Sequence, residues 1–440
     1  MTRVLPPRLR HRLKSASLVR RINGSLASPA PPALPSPPAL CVLPWSHALV
    51  ATNGDIHLCC LSLGANRFGN VTQESLTEVF ESGSFERVRQ QMRNGEWPAE
   101  CRGCMDRESR GLPSYRHHRN LKDRSLFIQL ATNPAAVQPA IQSLDLRLNN
   151  ICNFKCRSCG SMASNRWFAD HKLIYPEEKI LQSYQGFDHS QSFWAEFDEN
   201  ILPQLRSLDL AGGEPLLAQS YYRLLEKLIE RGKTDTKLTV VSNMSRLNFM
   251  NWDAIELWKK FTDLEVCFSL DGAGAKGEYI RHGLNYAKWK ENVQRFKREL
   301  THAKRSIHFV ISVFNVTDLR EHYETIVQGD FVSEGSMSFT FLEWPEYLSV
   351  QVLSTGLKAQ VERDIRAWLA DSTTLPQAVR IQLEALLRFM HEVDGHPVHG
   401  NDFAIKTAIL DRARGEDAAA LFPKLRPMLS LPQTASAPLR

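Results

Sequence analysis

Three cysteines fall within eight residues: Cys152, Cys156 and Cys159, spaced C-x3-C-x2-C. Their thiolates can wrap one metal centre. A closed tetrahedral zinc site wants four ligands, and an iron–sulfur cube normally takes four cysteines. A cube held by three leaves one iron open to a substrate or cofactor. A second set lies upstream. Cys41-x12-Gly54-x4-Cys59 is followed by Cys101-x2-Cys104, four thiols that can saturate one centre, either structural zinc or an iron–sulfur cluster. Of the nine cysteines, Cys60 and Cys267 remain. Cys60 reads as a spare pointing away from the set, or as a substitute for Cys59. Cys267 lies in an apolar run and reads as a core thiol. Odd, clustered cysteines without a signal peptide indicate metal ligands in a reducing compartment, so the expectation is cytoplasmic.

The elements that must hold these residues alternate. Short β-type runs are expected at 143–149, 207–211, 237–242, 264–270, 306–314 and 336–342. One intervening helix has Pro215 near its start, Leu217, Tyr221, Leu224, Leu225 and Leu228 as its apolar stripe, and Gly232 just past its end. Six strand–helix repeats imply a parallel sheet curved into a partial barrel. The fold class is α/β: a partial (β/α)6 TIM-type barrel preceded by a small cysteine-rich α+β unit. Upstream, ALVATNGDIHLCC reads as a hairpin with a type I′ turn at Asn53-Gly54. A helix is expected near 73–93, with Leu76, Val79, Phe80, Val88 and Met92 on its period. The aromatic-rich stretch 160–200 reads as an insertion that covers the barrel mouth or packs as a flap.

The polar residues then fall at strand ends. Ala211-Gly212-Gly213-Glu214-Pro215 ends the second strand, where two glycines permit close backbone approach. Val241-Ser242-Asn243 ends the third. Ser269-Leu270-Asp271-Gly272 ends the fourth, followed by Tyr279-Ile280-Arg281. Ser312 and Asn315 follow the fifth. Strand C-termini are where barrel active sites sit, although Asn and Asp-Gly also form ordinary turns.

With the cysteine loop after the first strand and GGE after the second, the chain resembles the radical S-adenosylmethionine (SAM) enzymes. The resemblance implies a [4Fe–4S] cluster on Cys152, Cys156 and Cys159, with SAM bound to its open iron. It implies that Gly212, Gly213 and Glu214 bind the methionine amino group. Asn243, Ser269, Asp271 and Arg281 would bind the ribose and carboxylate. Cluster reduction would cleave SAM to a 5′-deoxyadenosyl radical that abstracts hydrogen from a substrate. Lys155 and Arg157 would suit an anionic thiolate-bound cluster. The family usually has an aromatic residue before the third cysteine, against the adenine; here it is Ser158.

The upstream set resembles a shortened SPASM module, the twitch domain, with an auxiliary [4Fe–4S] cluster on Cys41, Cys59, Cys101 and Cys104. That cluster would accept an electron or bind substrate. Such modules usually follow the barrel; this one precedes it. The resemblance also implies a reductant protein such as flavodoxin or ferredoxin, and an oxidoreductase or modifying activity on a peptide, sugar or small metabolite. Glu343-Trp344-Pro345 and the aromatic insertion are places for specificity. The competing reading is a zinc-binding, nucleic-acid-associated protein without catalysis.

The net charge of +6 hints at such an anionic partner. It comes from Arg3, Arg8, Arg10, Arg12, Lys14, Arg20 and Arg21, in a segment without acids that holds eight of the 23 prolines. The rest has 47 basic against 48 acidic residues, a net of −1, so nucleic acid is not the expected partner. No apolar run is long enough to span a membrane. The expected organisation is a disordered basic, proline-rich tail (1–40), the auxiliary domain (41–120), the barrel (141–350), and a C-terminal helical extension (351–440) that frays from 411. The tail also admits an organelle-targeting reading.

Overall fold

The computed structural model describes residues 39–430, except 110, 112–113, 179–183, 185 and 372–374. The tail expected over 1–40 falls almost wholly outside these residues, as does the chain after 430. Eleven strands are described. They are β1 His47–Val50, β2 Asp55–His57, β3 Gly69–Asn70, β4 Ser143–Arg147, β5 Ser207–Ala211, β6 Lys237–Ser242, β7 Asn248–Phe249, β8 Trp252–Asp253, β9 Leu264–Ser269, β10 Lys304–Ile311 and β11 Met337–Phe341. β7 and β8 make a separate small hairpin. The other nine form one sheet, ordered β11-β10-β9-β6-β5-β4-β1-β2-β3.

The six strands β4, β5, β6, β9, β10 and β11 are parallel and follow chain order, as helical crossovers of one hand require. These are the six expected strands, within a few residues at each end. β1 pairs parallel with β4, His47 opposite Ser143. The cysteine-rich segment therefore continues the barrel's own sheet. β11, at the other edge, is covered by the helix Gln377–Glu392, whose Gln382 accepts the Phe339 N–H at 2.7 Å.

The strands alternate in burial. Leu208, Leu210, Leu238, Val240, Leu264, Val266 and Phe268 are buried outward. They pack under the helices Gln219–Glu230, with Tyr221, Leu225 and Leu228, and Tyr286–Glu299, with Trp289, Val293 and Phe296. Their partners in the alternation face the lumen. One cross-strand row is Leu49, Asp145, Asp209, Thr239 and Glu265. A row nearer the strand ends includes Val241, Cys267 and Ser306. Parallel strands covered on both faces usually read as unbroken apolar runs; polar alternation here marks a polar lumen.

Several local expectations change. The Asn53-Gly54 turn is not type I′. Gly54 alone has positive φ (+86°), and the Gly54 N–H donates to Ala51 O while the Ala51 N–H donates to Asp55 O. This is a longer loop closed by a glycine bulge, because the Asn53 side chain is held by Asp55 through two hydrogen bonds. The helix near 73–93 is two helices, Leu76–Glu81 and Gly83–Arg93, broken at Ser82, whose side chain caps the second. Leu217 belongs to a separate 3-10 turn, Pro215–Leu217. Cys267 is no core thiol: its place in the alternation puts it on the lumen face, beside Ser306. Residues 411–430 do not fray, and 431–440 lie outside the described residues. The helix His396–Arg414 ends at Gly415 in the left-handed region (φ +67°), and Phe422, Leu425 and Met428 are buried.

The alternation gives a stability test. Leu238→Ala, on the helix-covered face, is expected to cost about 2–5 kcal/mol. Thr239→Ala, one residue on and facing the lumen, should cost about 0.5 kcal/mol. Urea unfolding of both variants checks the pattern, and equal losses would contradict it.

Candidate functional site

The loop after β4 carries Cys152, Cys156 and Cys159. It is held from three sides. Asn149 Oδ1 accepts the Ile151 N–H (3.0 Å), and Asn165 Oδ1 accepts the Cys152 N–H (3.3 Å). The Lys155 and Arg157 amides donate to His282 O and Ile280 O, each at 2.8 Å. The Trp167 indole N–H donates to Cys156 O (2.9 Å). The three thiols are electrostatic neighbours, and the Phe154 N–H points at Cys152 Sγ (3.4 Å). Burial pushes the Cys152 thiol up to about 12, with the nearby Glu214 carboxylate adding to it. Thiols this reluctant to ionise are favoured as thiolates when a cation binds them.

The GGE segment lies directly against this loop. Gly213 N–H donates to Asn149 O (2.9 Å) and Glu214 N–H to Ile151 O (2.7 Å). A β-carbon on Gly213 would stand 2.2 Å from Ile151 O, and Gly212 has φ +126°. Only glycine meets both demands. Glu214 is buried; its carboxylate accepts from Ser242 Oγ (2.7 Å), Asn243 N (2.6 Å) and Leu216 N (3.2 Å). Burial raises its pKa to about 6 against these hydrogen bonds. Asn243 Nδ2 donates to Asn153 Oδ1 (3.0 Å) and lies 4.0 Å from Cys152 Sγ.

Asp271 is fully buried. Its Oδ2 takes the Arg281 guanidinium at 2.8 Å and its Oδ1 the Val310 N–H at 2.9 Å. Burial opposes the Arg281 charge, but Cys156, Asp271 and Cys159 nearby hold its pKa above the ordinary value. Its Nε has no protein partner. Ser269 ends β9, half-buried on the lumen side. Ser312 and Asn315 serve the turn after β10: Asn315 Oδ1 accepts the Ser312 N–H (2.8 Å) and Nδ2 donates to Asp271 O (2.9 Å). Lys155 and Arg157 do not face the thiols as expected. Lys155 pairs with Asp170 (3.0 Å), and Arg157 with Asp411 and with Glu416 (2.6 Å). Trp344, beyond β11, is 60% exposed. Its indole lies over Gly160, 3.6 Å from where a β-carbon would stand.

The second set also converges. Cys41, Cys59, Cys101 and Cys104 line one pocket with Leu43, Leu58 and Tyr115. The β1–β2 hairpin brings Cys41 and Cys59 to the same end, the end at which the parallel strands begin. Burial pushes both of these thiols up to about 12. Among the described residues no three His, Cys, Asp or Glu side chains meet at single-ion spacing. Besides the four thiols the pocket is lined by Glu100, whose Oε2 has no protein partner, and by Arg116; the rest of its wall is largely apolar, and four thiols suit an iron–sulfur cluster. At the triad, three thiols beside a positioned Arg281 fit a three-cysteine cluster with a bound anionic group.

Between the two sets lies the lumen. Cys60 does not join the pocket; its electrostatic neighbours are Cys59, Asp145, Arg147 and Asp209. The helix Tyr115–Lys122 closes the end at which the strands begin. Arg119 donates to Ser143 Oγ (3.1 Å) and lies 3.9 Å from Asp209. Asp145 Oδ1, Arg147 Nε and His57 Nδ1 are buried without protein partners. None of these residues was singled out from sequence. The signal was present in SLDLR and SLDLA, where leucines alternate with Ser143, Asp145 and Arg147 in one strand and with Ser207 and Asp209 in the other.

Comparison with known proteins agrees with this layout. Residues 146–326 match the radical SAM superfamily model, and residues 41–105 the SPASM iron–sulfur cluster-binding domain model. No curated protein matches. Among solved structures, anSMEcpe with bound AdoMet is 17% identical, with a TM-score of 0.35 over 52% of this chain and 62% of that one. Streptococcus suis SuiB bound to S-adenosylmethionine is 14% identical, with a TM-score of 0.35 over 74% and 69%. The chain thus spans about three fifths of the length of anSMEcpe.

Glu214 yields a pH test. Its folded pKa, about 6, lies above the usual carboxylate value. Its contribution is therefore fully present below the unfolded pKa and is lost as pH rises through 6, by about 2 kcal/mol. The stability difference between wild type and Glu214→Gln should fall by that amount from pH 4.5 to 7. A flat difference in denaturant unfolding would refute the assignment.

Proposed function

We propose that this chain, which carries a radical SAM domain behind a SPASM iron–sulfur domain, is an enzyme that cleaves SAM reductively and takes a hydrogen atom from a substrate in the barrel lumen. The observation that carries this reading is the arrangement of thiols. Three stand where the strands end and four where they begin, with a polar lumen between. Cys152, Cys156 and Cys159 would hold one [4Fe–4S] cluster, and Cys41, Cys59, Cys101 and Cys104 the auxiliary one. Bound there, the first cluster would supply the electron for reductive cleavage of SAM and so the means of taking hydrogen from a substrate.

The chain's own residues bind and orient. Arg281, held by Asp271, would receive the SAM carboxylate. The Gly212–Gly213 backbone and Asn243 bring polar atoms beside Cys152, suited to the amino group and ribose; Ser269 faces the same space from β9. Ser158 offers the adenine no aromatic face. Trp344, exposed over Gly160, supplies one from the other side of the loop. Asp145, Arg147, Asp209 and Arg119 offer both charge signs to a polar substrate, a peptide or small molecule. A flavodoxin or ferredoxin would supply electrons, and a reducing, cytoplasmic setting suits thiols reserved for metal. The net reaction would be an oxidation or a modification.

Anaerobic reconstitution with iron and sulfide tests the reading. About eight irons per chain are expected, with SAM-dependent release of 5′-deoxyadenosine. Changing Cys152, Cys156 and Cys159 to Ala should remove about half the iron and all SAM cleavage. Zinc alone, with SAM left intact, would refute it. Trp344→Ala should weaken SAM binding about tenfold in equilibrium dialysis, and Trp344→Phe much less; unchanged affinity would remove Trp344 from the site.

A further inference from the structure

Arg157 stands between Cys156 and Cys159, and its guanidinium is 2% exposed. It stacks on the Tyr279 ring, 3.8 Å from the centroid. Its carboxylate partners come from the far end of the chain. Asp411 lies in the last turn of the helix His396–Arg414, and Glu416 just beyond it. Asp411 also accepts from Tyr279 Oη (2.8 Å) and Ala418 N (2.8 Å). Glu416 also meets His282 Nδ1 at 2.6 Å.

A second link runs the other way. Arg414, fully buried, donates through Nε to Asp170 at 2.9 Å. Asp170 also takes Lys155 of the thiol loop (3.0 Å). Arg414 covers the Trp167 ring at 5.2 Å, and Trp167 holds Cys156 O. The loop thus sends an arginine into the carboxylates of the C-terminal segment. That segment sends an arginine into the carboxylate that holds the loop's lysine. All of residues 396–430 lie outside both matched domains.

We propose that Asp411 and Glu416 are positioning residues: they latch the C-terminal segment onto the back of the thiol loop and fix where Cys156 and Cys159 stand relative to Arg281. The backbone geometry explains how. Arg157 and Lys155 donate their amides to Ile280 and His282. Arg281 lies between those two acceptors in sequence, is held by Asp271 at 2.8 Å, and is an electrostatic neighbour of Cys156 and Cys159. His282 and Arg157 reach the opposite side, to Glu416 and Asp411. Neutralising Arg157 on that side leaves Arg281 as the guanidinium directed at the thiols. A buried charge pair adds little net stability over apolar side chains, but removing one partner leaves the other charge uncompensated.

The inference uses the reading of the three cysteines as cluster ligands, but its first test does not. Hydrogen–deuterium exchange on the full-length apoprotein should show the 155–159 amides exchanging at least about tenfold faster in Asp411→Asn/Glu416→Gln, with β6 and β9 unchanged. Asp411→Glu should restore protection. After reconstitution the double variant should lose triad iron, or show an altered electron paramagnetic resonance signal with SAM, while keeping auxiliary iron. Should the double variant fail to fold, Arg157→Lys reads the same contact, since a lysine keeps the charge but loses the fork. Unchanged exchange and an unchanged signal in the variant that folds would overturn the latch. Faster exchange in a chain that binds no iron would uphold the latch and sink the cluster reading instead.

Discussion

The site depends on one close approach, that of Gly213 to the Ile151 carbonyl. No side chain fits there, since even a β-carbon would stand 2.2 Å from the oxygen. The contact lets Gly213 and Glu214 donate directly to the thiol loop. Glu214 then turns its carboxylate to the end of β6, and Asn243 returns from that end to Asn153, beside Cys152. The links close a ring around one thiol. A methyl group at 213 would open it at its tightest point, and the glycines are accounted for by this packing whether or not a ligand also uses them.

A second constraint separates apolar from polar chemistry. Outward residues such as Leu208, Leu238 and Phe268 each contribute roughly 1.5–3 kcal/mol by leaving water, and they hold the helices on. The inward set contributes little of that kind. Asp145, whose pKa burial raises, and Arg147 sit in the lumen with atoms unmatched by protein. Unmatched buried polar atoms are costly, and such cost is usually carried where a ligand will match them. β1 extends the same division: His47 bonds Ser143 Oγ at 2.8 Å across the join, so the auxiliary thiols and the barrel share one framework.

Much of this was legible in the chain. The cysteine spacing, the six strands and GGE at the second strand end are local patterns, and local patterns survive folding. The largest failure was non-local. Lys155 and Arg157 look like partners for an anionic cluster because they lie beside the cysteines in sequence. Their real partners are up to 259 residues away. Cys267 looked apolar because its neighbours Val266 and Phe268 are, but those neighbours occupy the opposite face. The hairpin turn was misread because Asn53 spends its side chain on Asp55. The lumen charges were visible in SLDLR and SLDLA, but needed the knowledge that those strands are covered on one face and open on the other.

The Arg157–Glu416 pair spans 259 residues of chain, and a ribosome makes a chain from one end. At roughly 5–20 residues per second, synthesis leaves the thiol loop without its clamp for about 13–50 s. All four upstream cysteines are made by residue 104, although Tyr115 of their pocket follows and β1 waits for β4 to pair. Maturation therefore has a built-in order. The upstream thiols are made while the barrel is still emerging, and the three-cysteine loop is among the last parts of the protein to be fixed.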